Sequence, residues 1–271
     1  MKASYAHYTL HFRQPAGTSR GVLTDKETYF LKLEDEDMPG VFGLGECAVF
    51  RGLSADDVPT YEDKLRELCA NISADKETDL HEFPSIRFGL ETAINDFANG
   101  CRRQPFPSDF TEGMSAIPIN GLVWMGTKEE MLRRIDDKIK AGFTTIKLKV
   151  GAIDTESELD LVRHIRKVFP PEALTIRLDA NGGFTPDNAL QKLSDFARYG
   201  IHSIEQPIKQ GQWEAMRRIC SESPIDIALD EELIGIHTPE RMGEMLDAVR
   251  PKYIILKPSL IGGFSGSQDW I

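Results

Sequence analysis

The stretch Thr144-Thr145-Ile146-Lys147-Leu148-Lys149-Val150 is an apolar segment with two lysines at alternate positions, and it ends at Gly151. Successive side chains of a β-strand point to opposite faces, so both ammonium groups would lie on one side of this strand near its C-terminal end. On an edge strand such lysines are ordinary, because exposed charges there oppose aggregation. On a buried strand they are costly. The interpretation therefore depends on the sequence that follows.

Four later strand-like segments each end in one charged residue. These residues are Asp179 after 174–178, Glu205 after 202–204, Asp230 after 225–229 and Lys257 after 252–256. Counted from Lys149, the successive steps are 30, 26, 25 and 27 residues. Each step suits one strand and one crossover helix, so the five residues should occupy equivalent ends of neighbouring parallel strands.

This order of charges, Lys, Asp, Glu, Asp, Lys, predicts a site for a hard divalent cation. Three carboxylates on neighbouring strands supply oxygen ligands and leave positions for water and substrate, as Mg²⁺ requires. Zinc fits less well, since the sequence contains no cluster of Cys or His. We therefore predict Asp179, Glu205 and Asp230 as ligands of Mg²⁺, with Mn²⁺ as an alternative. The two flanking lysines should face each other across the metal.

The residues at these strand ends resemble the muconate-lactonising subgroup of the enolase superfamily. The matching motifs are Lys147-x-Lys149, Asp179-Ala180-Asn181, Glu205-Gln206-Pro207, Asp230-Glu231-Glu232 and Lys257-Pro258-Ser259-Leu260. Within the subgroup the sequence is most similar to the o-succinylbenzoate synthase family of menaquinone biosynthesis. Further matches are Gly43-Leu44-Gly45-Glu46-Cys47 and Leu260-Ile261-Gly262-Gly263-Phe264. The resemblance covers nearly the whole chain and is more specific for the subgroup than for the substrate.

The resemblance implies a Mg-dependent lyase that forms o-succinylbenzoate from 2-succinyl-6-hydroxy-2,4-cyclohexadiene-1-carboxylate by removing an α-proton and then losing water. Mg²⁺ would stabilise the enolate as a Lewis acid. Lys149 is predicted as the base, with a pKa pulled well below about 10.4 by nearby positive charge. Lys147 is expected to depress that pKa and to contact the substrate carboxylate. Lys257 is expected to stabilise the enolate or to act as a second acid or base.

Two further residues flank the first predicted metal ligand. Arg177 and Asn181 are expected either to orient Asp179 or to be an ordinary strand-face partner and turn residue, respectively. The same motifs leave other functions open. Racemisation of N-acylamino acids and epimerisation of dipeptides need two opposed lysines and no leaving group, and cycloisomerisation of muconates uses a comparable enolate. A hypothesis of another class is a non-catalytic truncated fragment completed by a second polypeptide.

Composition limits the class of protein. The 271 residues, 41% of them hydrophobic, allow one large or two ordinary domains with a sizeable core. A net charge of −11 argues against a broad surface for nucleic acid or an anionic membrane, and the expected partner is a small-molecule carboxylate. The four cysteines lack a metal-like spacing, and neither a signal sequence nor an apolar run of about 20 residues is evident. These features predict a cytoplasmic protein.

The first hundred residues differ from the rest. Strand-like patterns at 4–13, 27–33 and 40–49 precede helical patterns at 61–70 and 86–98, which predicts an α+β capping domain over residues 1–103. The resemblance implies that the loops of this domain close over substrate. Arg20, in the predicted loop 15–21, and Arg51, in the loop 50–54, are therefore expected to meet a substrate carboxylate. A proline-containing linker follows at 104–109.

Strands and helices alternate over residues 104–271, which predicts an α/β fold, a (β/α) barrel of the enolase type with its active site at the strand ends. The first strand is expected at 117–120, a helix should begin with a capping box of Thr127 and Glu130, and another helix should begin at Thr185. Six strands are counted up to residue 256. A closed barrel has eight, so we expect a C-terminally incomplete barrel lacking roughly 60 residues. Its open edge should favour self-association or a homo-oligomer.

Overall fold

A computed structural model describes residues 1–18, 21–38 and 40–271. The first part of the chain is an antiparallel sheet with two helices, in agreement with the predicted α+β cap. The elements are β1 (Lys2–Thr18), β2 (Gly21–Glu34), β3 (Phe42–Cys47), α1 (Tyr61–Ser73) and α2 (Pro84–Ala98). The three strands lie in the order β1-β2-β3. The boundary between residues 103 and 104 stays a prediction.

The rest of the chain alternates strand and helix. Its elements are β4 (Gly121–Val123), α3 (Lys128–Lys140), β5 (Thr145–Lys149), α4 (Thr155–Arg166), β6 (Thr175–Asp179), α5 (Ala189–Ala197), β7 (Ile201–Glu205), α6 (Trp213–Glu222), β8 (Asp226–Leu229), a 3-10 helix (Glu231–Leu233), α7 (Pro239–Val249), β9 (Tyr253–Ile254), α8 (Pro258–Ile261) and α9 (Gly263–Asp269). The strands form one six-stranded parallel sheet in chain order, β4 to β9. The predicted succession of (β/α) units and its count of strands are confirmed. None of the described helices is long and apolar enough to cross a lipid bilayer.

Strand β5 illustrates how the sheet separates core from site. Ile146 and Leu148 are fully buried and belong to the large apolar core. Lys147 and Lys149 alternate with them and therefore point to the other face of the sheet. The register repeats this arrangement on β6, where Lys149 pairs with Asp179. One face of the sheet thus packs on the helices while the other collects charged groups.

The predicted capping box at the start of α3 is confirmed. The Thr127 hydroxyl accepts the Glu130 backbone N–H, and the Glu130 carboxylate accepts the Thr127 backbone N–H. These two bonds satisfy donors that the first turn of a helix leaves unpaired.

Three sequence predictions of element bounds are wrong. The first barrel strand was expected at 117–120 and lies at Gly121–Val123, and the helix expected from Thr185 begins at Ala189. In the latter case the Asn188 side chain accepts the Thr185 N–H at 3.0 Å and forms a turn instead of a helix start. Part of the loop expected at 15–21 is strand, because β1 shifts register after His11 and then pairs with β2 again.

Helix α2 of the cap contacts the C-terminal helices of the barrel part of the chain. The Glu91 carboxylate accepts the backbone N–H groups of Phe264 at 2.5 Å and Ser265 at 3.3 Å, and also the Ser265 hydroxyl. The Phe88 and Phe264 rings meet edge to face with centroids 5.2 Å apart. The cap is therefore held beside α8 and α9, the helices that follow Lys257.

Candidate active site

The three predicted metal ligands gather at the C-terminal end of the parallel sheet. Asp179 ends β6, Glu205 ends β7, and Asp230 directly follows β8. Their exposed fractions are 0%, 5% and 3%. Asp179 and Glu205 are direct neighbours in the register of the sheet. Burial of three carboxylates is unfavourable unless cations lie close to them.

Two lysines of β5 supply positive charge on one side of this cluster. Lys147 lies 2.9 Å from Asp179 Oδ2 and also contacts Glu205. Lys149 donates to Asp179 Oδ2 at 2.7 Å. Both lysine side chains are largely buried, with exposed fractions of 18% and 11%. The alternation predicted for the Lys-x-Lys stretch therefore directs both ammonium groups to the same carboxylate.

Lys257 supplies positive charge from the other side. Its ammonium group contacts Asp230 and lies 4.0 Å from Glu205 Oε1. Lys257 and Lys147 thus both reach toward Glu205, from opposite ends of the row of strands. The predicted placement of Lys149 and Lys257 on opposite sides of a metal stays a prediction.

The pKa values of the cluster reflect competition between burial and charge. Burial raises the pKa of Glu205 above its ordinary value, and the neighbouring Asp179 and Asp230 carboxylates add to the increase. Burial acts in the same direction on Asp179, but Lys147 and Lys149 outweigh it and lower the pKa of this carboxyl. Of these two carboxyl groups, Glu205 is therefore the one whose burial the lysines compensate less.

A divalent cation fits this set of residues. Glu205 Oε1 is buried and has no hydrogen-bond partner among the described residues. Hard cations such as Mg²⁺ take carboxylate oxygens as ligands. In the described part of the chain no three His, Cys, Asp or Glu side chains converge as a formed metal cluster. Lysine ammonium groups contact all three carboxylates. Asp179, Glu205 and Asp230 are the residues that could hold a cation.

Asn181 connects Lys149 to a second layer of residues. Its side-chain oxygen accepts from Lys149 Nζ at 2.5 Å, and its amide group donates to Glu231 Oε1 at 2.9 Å. Its backbone N–H donates to Asp179 Oδ1 at 3.1 Å. The residue has φ 43°, a conformation that Asn tolerates better than most residues. The contact with Asp179 agrees with the predicted orienting position, although the role itself stays a prediction.

Gln206 fixes the turn that carries Asp230. Its side-chain oxygen accepts the backbone N–H groups of Asp230 and Glu232, both at 3.2 Å. Its amide nitrogen donates to Glu232 Oε2 at 2.9 Å. No role was predicted for Gln206, and Glu231 was expected to cap the turn after Asp230 and not to bind metal. The run of three acids at 230–232 was the available signal, because buried acids in succession require several donors.

The other predicted orienting residue lies deeper in the barrel. Arg177 lines a cavity of about 250 Å³ together with Lys147 and Glu205. Its Nε is buried without a hydrogen-bond partner among the described residues. A role of Arg177 in orienting Asp179, and contact of Lys147 with substrate, stay predictions.

A larger pocket lies between cap and barrel. Its volume is about 600 Å³, and the barrel contributes Lys149, Asn181 and Lys257 to its wall. The apolar side chains that line it are Phe12, Leu23, Phe50, Leu53, Phe88, Trp124 and Leu256. Lys26 of β2 lines it from the cap. No role was predicted for Lys26, since nothing in its local sequence indicates which pocket it borders.

The two predicted loop arginines have different outcomes. Arg20 lies outside the described residues. Arg51 donates to Glu27 at 2.9 Å and to Asp57 at 2.7 Å. It borders a smaller cavity of about 120 Å³ on the cap instead of the pocket that contains Lys149. Contact of either arginine with a substrate carboxylate stays a prediction.

Comparisons with known proteins place this geometry in a family. The profile of the family described as "Enolase C-terminal domain-like" matches residues 130–271. The o-succinylbenzoate synthase of Desulfotalea psychrophila (strain LSv54 / DSM 12343) is 42% identical over an alignment of 305 residues, which covers 100% of this chain and 82% of that protein. The chain belongs to the enolase superfamily. It is an o-succinylbenzoate synthase-like carbon–oxygen lyase of that superfamily.

Solved structures of similar proteins agree with this assignment to the enolase superfamily. MenC from Desulfotalea psychrophila LSv54 has a TM-score of 0.85 at 38% identity, covering 100% of this chain and 82% of that one. The o-succinylbenzoate synthase from Thermosynechococcus elongatus BP-1, complexed with Mg in its active site, has a TM-score of 0.78 at 25% identity, covering 99% and 79%. Another relative is the L-Ala-D/L-Glu epimerase of Bacillus subtilis (strain 168), 31% identical over 245 residues, covering 84% of this chain and 65% of that protein.

Proposed function

We propose that this lyase converts 2-succinyl-6-hydroxy-2,4-cyclohexadiene-1-carboxylate to o-succinylbenzoate with Mg²⁺ held by Asp179, Glu205 and Asp230. The observation that carries the proposal is the pair Lys149 and Lys257, which line one pocket while each contacts a buried carboxylate. Supporting comparisons are the synthase that is 42% identical and the structure of a synthase with Mg in its active site. When bound, a divalent cation supplies Lewis-acid stabilisation to negative charge on the substrate carboxylate.

Lys149 performs the proton transfers in this proposal. As a neutral amine it takes the proton from the ring carbon that bears the carboxylate, and that electron pair forms an enediolate. The neighbouring carbon then loses its hydroxyl group, to which the Lys149 ammonium returns the proton, so that water leaves and the ring becomes aromatic. Asn181 accepts one N–H of Lys149 and limits the directions in which its nitrogen can turn.

Lys257 has an electrostatic role in the same proposal. It contacts Asp230, the carboxylate farthest along the sheet from Lys149. An ammonium group on that side stabilises the negative charge that develops on the substrate when the proton leaves. Its positive charge matters most in the transition state, so its removal should lower kcat more than it raises KM.

The test is an ultraviolet assay of aromatisation with the wild-type chain, Mg²⁺ and the cyclohexadiene substrate. Lys149→Ala should lower kcat by about 10²- to 10⁴-fold, the usual contribution of a general base. Circular dichroism should show an unchanged fold. The matched control is Lys140→Ala, which removes an exposed lysine at the end of α3 and should leave the rate unchanged. A Lys149→Ala rate close to that of wild type would exclude Lys149 as the base.

A second candidate function is racemisation of N-acylamino acids or epimerisation of dipeptides. The opposed lysines and the epimerase relative that is 31% identical favour it. Exchange of solvent deuterium into an acylamino acid, without turnover of the cyclohexadiene, would support this function. If the folded chain turns over neither substrate, the hypothesis of a non-catalytic fragment gains support. A cytoplasmic location and self-association through the sheet edges stay predictions.

A further inference from the structure

Lys26 is the one described cation that the cap contributes to the pocket of Lys149 and Lys257. Its side chain is only 21% exposed. Along β2 it alternates with Tyr29 and Leu31, which are buried in the core of the cap. Alternation therefore directs Lys26 away from that core, and its ammonium group is available to the pocket between cap and barrel.

The Lys26 ammonium group has more N–H donors than its described partner, Glu46, uses. Glu46 Oε1 lies 3.3 Å from Lys26 Nζ and also accepts the hydroxyl of buried Thr28 at 2.7 Å. An ammonium group has three N–H donors, and among the described residues Glu46 is the acceptor that contacts it. Glu46 thus orients Lys26, and two N–H groups remain for a ligand.

Much of the wall of this pocket is apolar. It includes Phe50, Leu53 and Leu256. A ligand that suits this pocket has an anionic group at each end and a short, weakly polar middle. A dicarboxylate of this form gains a charge-assisted hydrogen bond at both ends without leaving a buried polar group unpaired.

We infer that Lys26 binds a second carboxylate of the substrate, distant from the carboxylate near Lys149 and Lys257. This inference rests on the proposed function and assigns the residue that binds the far carboxylate of its substrate. The succinyl arm of the proposed substrate carries this far carboxylate. Lys26 also acts against ligands that carry an ammonium group at the far end, such as dipeptides, through repulsion of like charges.

The test compares two ligands that differ only at the far end. Titration calorimetry in Mg²⁺ measures binding of o-succinylbenzoate and of 2-butyrylbenzoate, in which a methyl group replaces the far carboxylate. Lys26→Met should raise the Kd of o-succinylbenzoate by about 10- to 100-fold, because it removes a hydrogen bond between charged groups. It should leave the Kd of 2-butyrylbenzoate unchanged. Lys26→Arg keeps the charge and should restore most of the lost affinity.

The matched control is Lys32→Met. Lys32 lies on the same strand and the same face as Lys26, pairs with Glu34 at 2.9 Å and does not line the pocket. It should change the Kd of neither ligand. Equal weakening of both ligands by Lys26→Met would indicate general damage and overturn the inference, as would equal affinity of the two ligands for the wild-type chain. Absence of turnover together with the expected difference in binding would refute the proposed reaction and retain the role of Lys26.

Discussion

Asp179 is the carboxylate of the site that contacts both lysines of β5. Its Oδ2 contacts the ammonium groups of both Lys147 and Lys149, and its Oδ1 accepts the backbone N–H of Asn181. Those contacts lower the pKa of Asp179 in spite of its complete burial. The carboxylate therefore stays charged near neutral pH, as a metal ligand must.

Asp179→Asn keeps the shape of the side chain and removes its negative charge. We expect at least about a 10-fold higher Mg²⁺ concentration for half-maximal activity, the scale on which changes around metal ligands act. Calorimetric titration with Mg²⁺ in the absence of substrate should show the same loss. Asp195→Asn is the control, since Asp195 pairs with the exposed Arg198 on the surface and should not affect the metal requirement. An unchanged requirement in Asp179→Asn would remove this residue from the ligands.

The sequence predicted the charged residues at the strand ends better than their neighbours. Lys149, Asp179 and Lys257 could be found because equivalent places on successive strands recur every 25 to 30 residues in the sequence. Gln206 and Lys26 could not, because their importance depends on contacts across the fold: Gln206 with the turn after β8, and Lys26 with a pocket formed by two separate parts of the chain.

At the scale of elements, local chemistry predicted the start of one helix correctly and the start of another wrongly. The capping box fixed the start of α3 as predicted, whereas the helix expected from Thr185 begins at Ala189. Strands β4 and β9 contain only three and two residues in the structure. Such short strands depend on pairing with β5 and β8, which no local pattern specifies.

Glu91 links helix α2 to helix α9 through hydrogen bonds. Glu91→Ala removes the acceptor of two backbone N–H groups at the start of α9, which are otherwise left without that partner. We expect a loss of about 1–3 kcal/mol in the free energy of unfolding, the usual effect of an unsatisfied donor. Urea unfolding followed by circular dichroism measures the change.

Glu244→Ala is the control for this measurement. Glu244 also lies on a helix and pairs with Arg241, but both side chains are more than half exposed. An exposed pair of this kind should contribute less than about 1 kcal/mol. If Glu91→Ala loses no more stability than Glu244→Ala, the joint between cap and barrel does not depend on this carboxylate.

At the scale of the whole molecule, the site contains as many lysines as carboxylates, whereas the whole protein has an excess of negative charge. The chain carries a net charge of −11. The site pairs three carboxylates with three ammonium groups; these are Asp179, Glu205 and Asp230, and Lys147, Lys149 and Lys257. A divalent cation adds positive charge to this set. An anionic ligand offsets that charge, so cation and ligand should favour each other's binding.

This balance predicts that Mg²⁺ and o-succinylbenzoate stabilise the protein more together than separately. Each ligand raises Tm according to its affinity for the folded chain, and a coupling of ordinary size lowers the Kd of the product by about 5- to 150-fold when Mg²⁺ is present. Thermal unfolding with neither ligand, with each and with both measures the effect. Choline chloride at the ionic strength of the MgCl₂ controls for screening, which alone stabilises a chain of such negative charge. Shifts in Tm that simply add would mean that the lysines, rather than the added cation, already neutralise the bound anion.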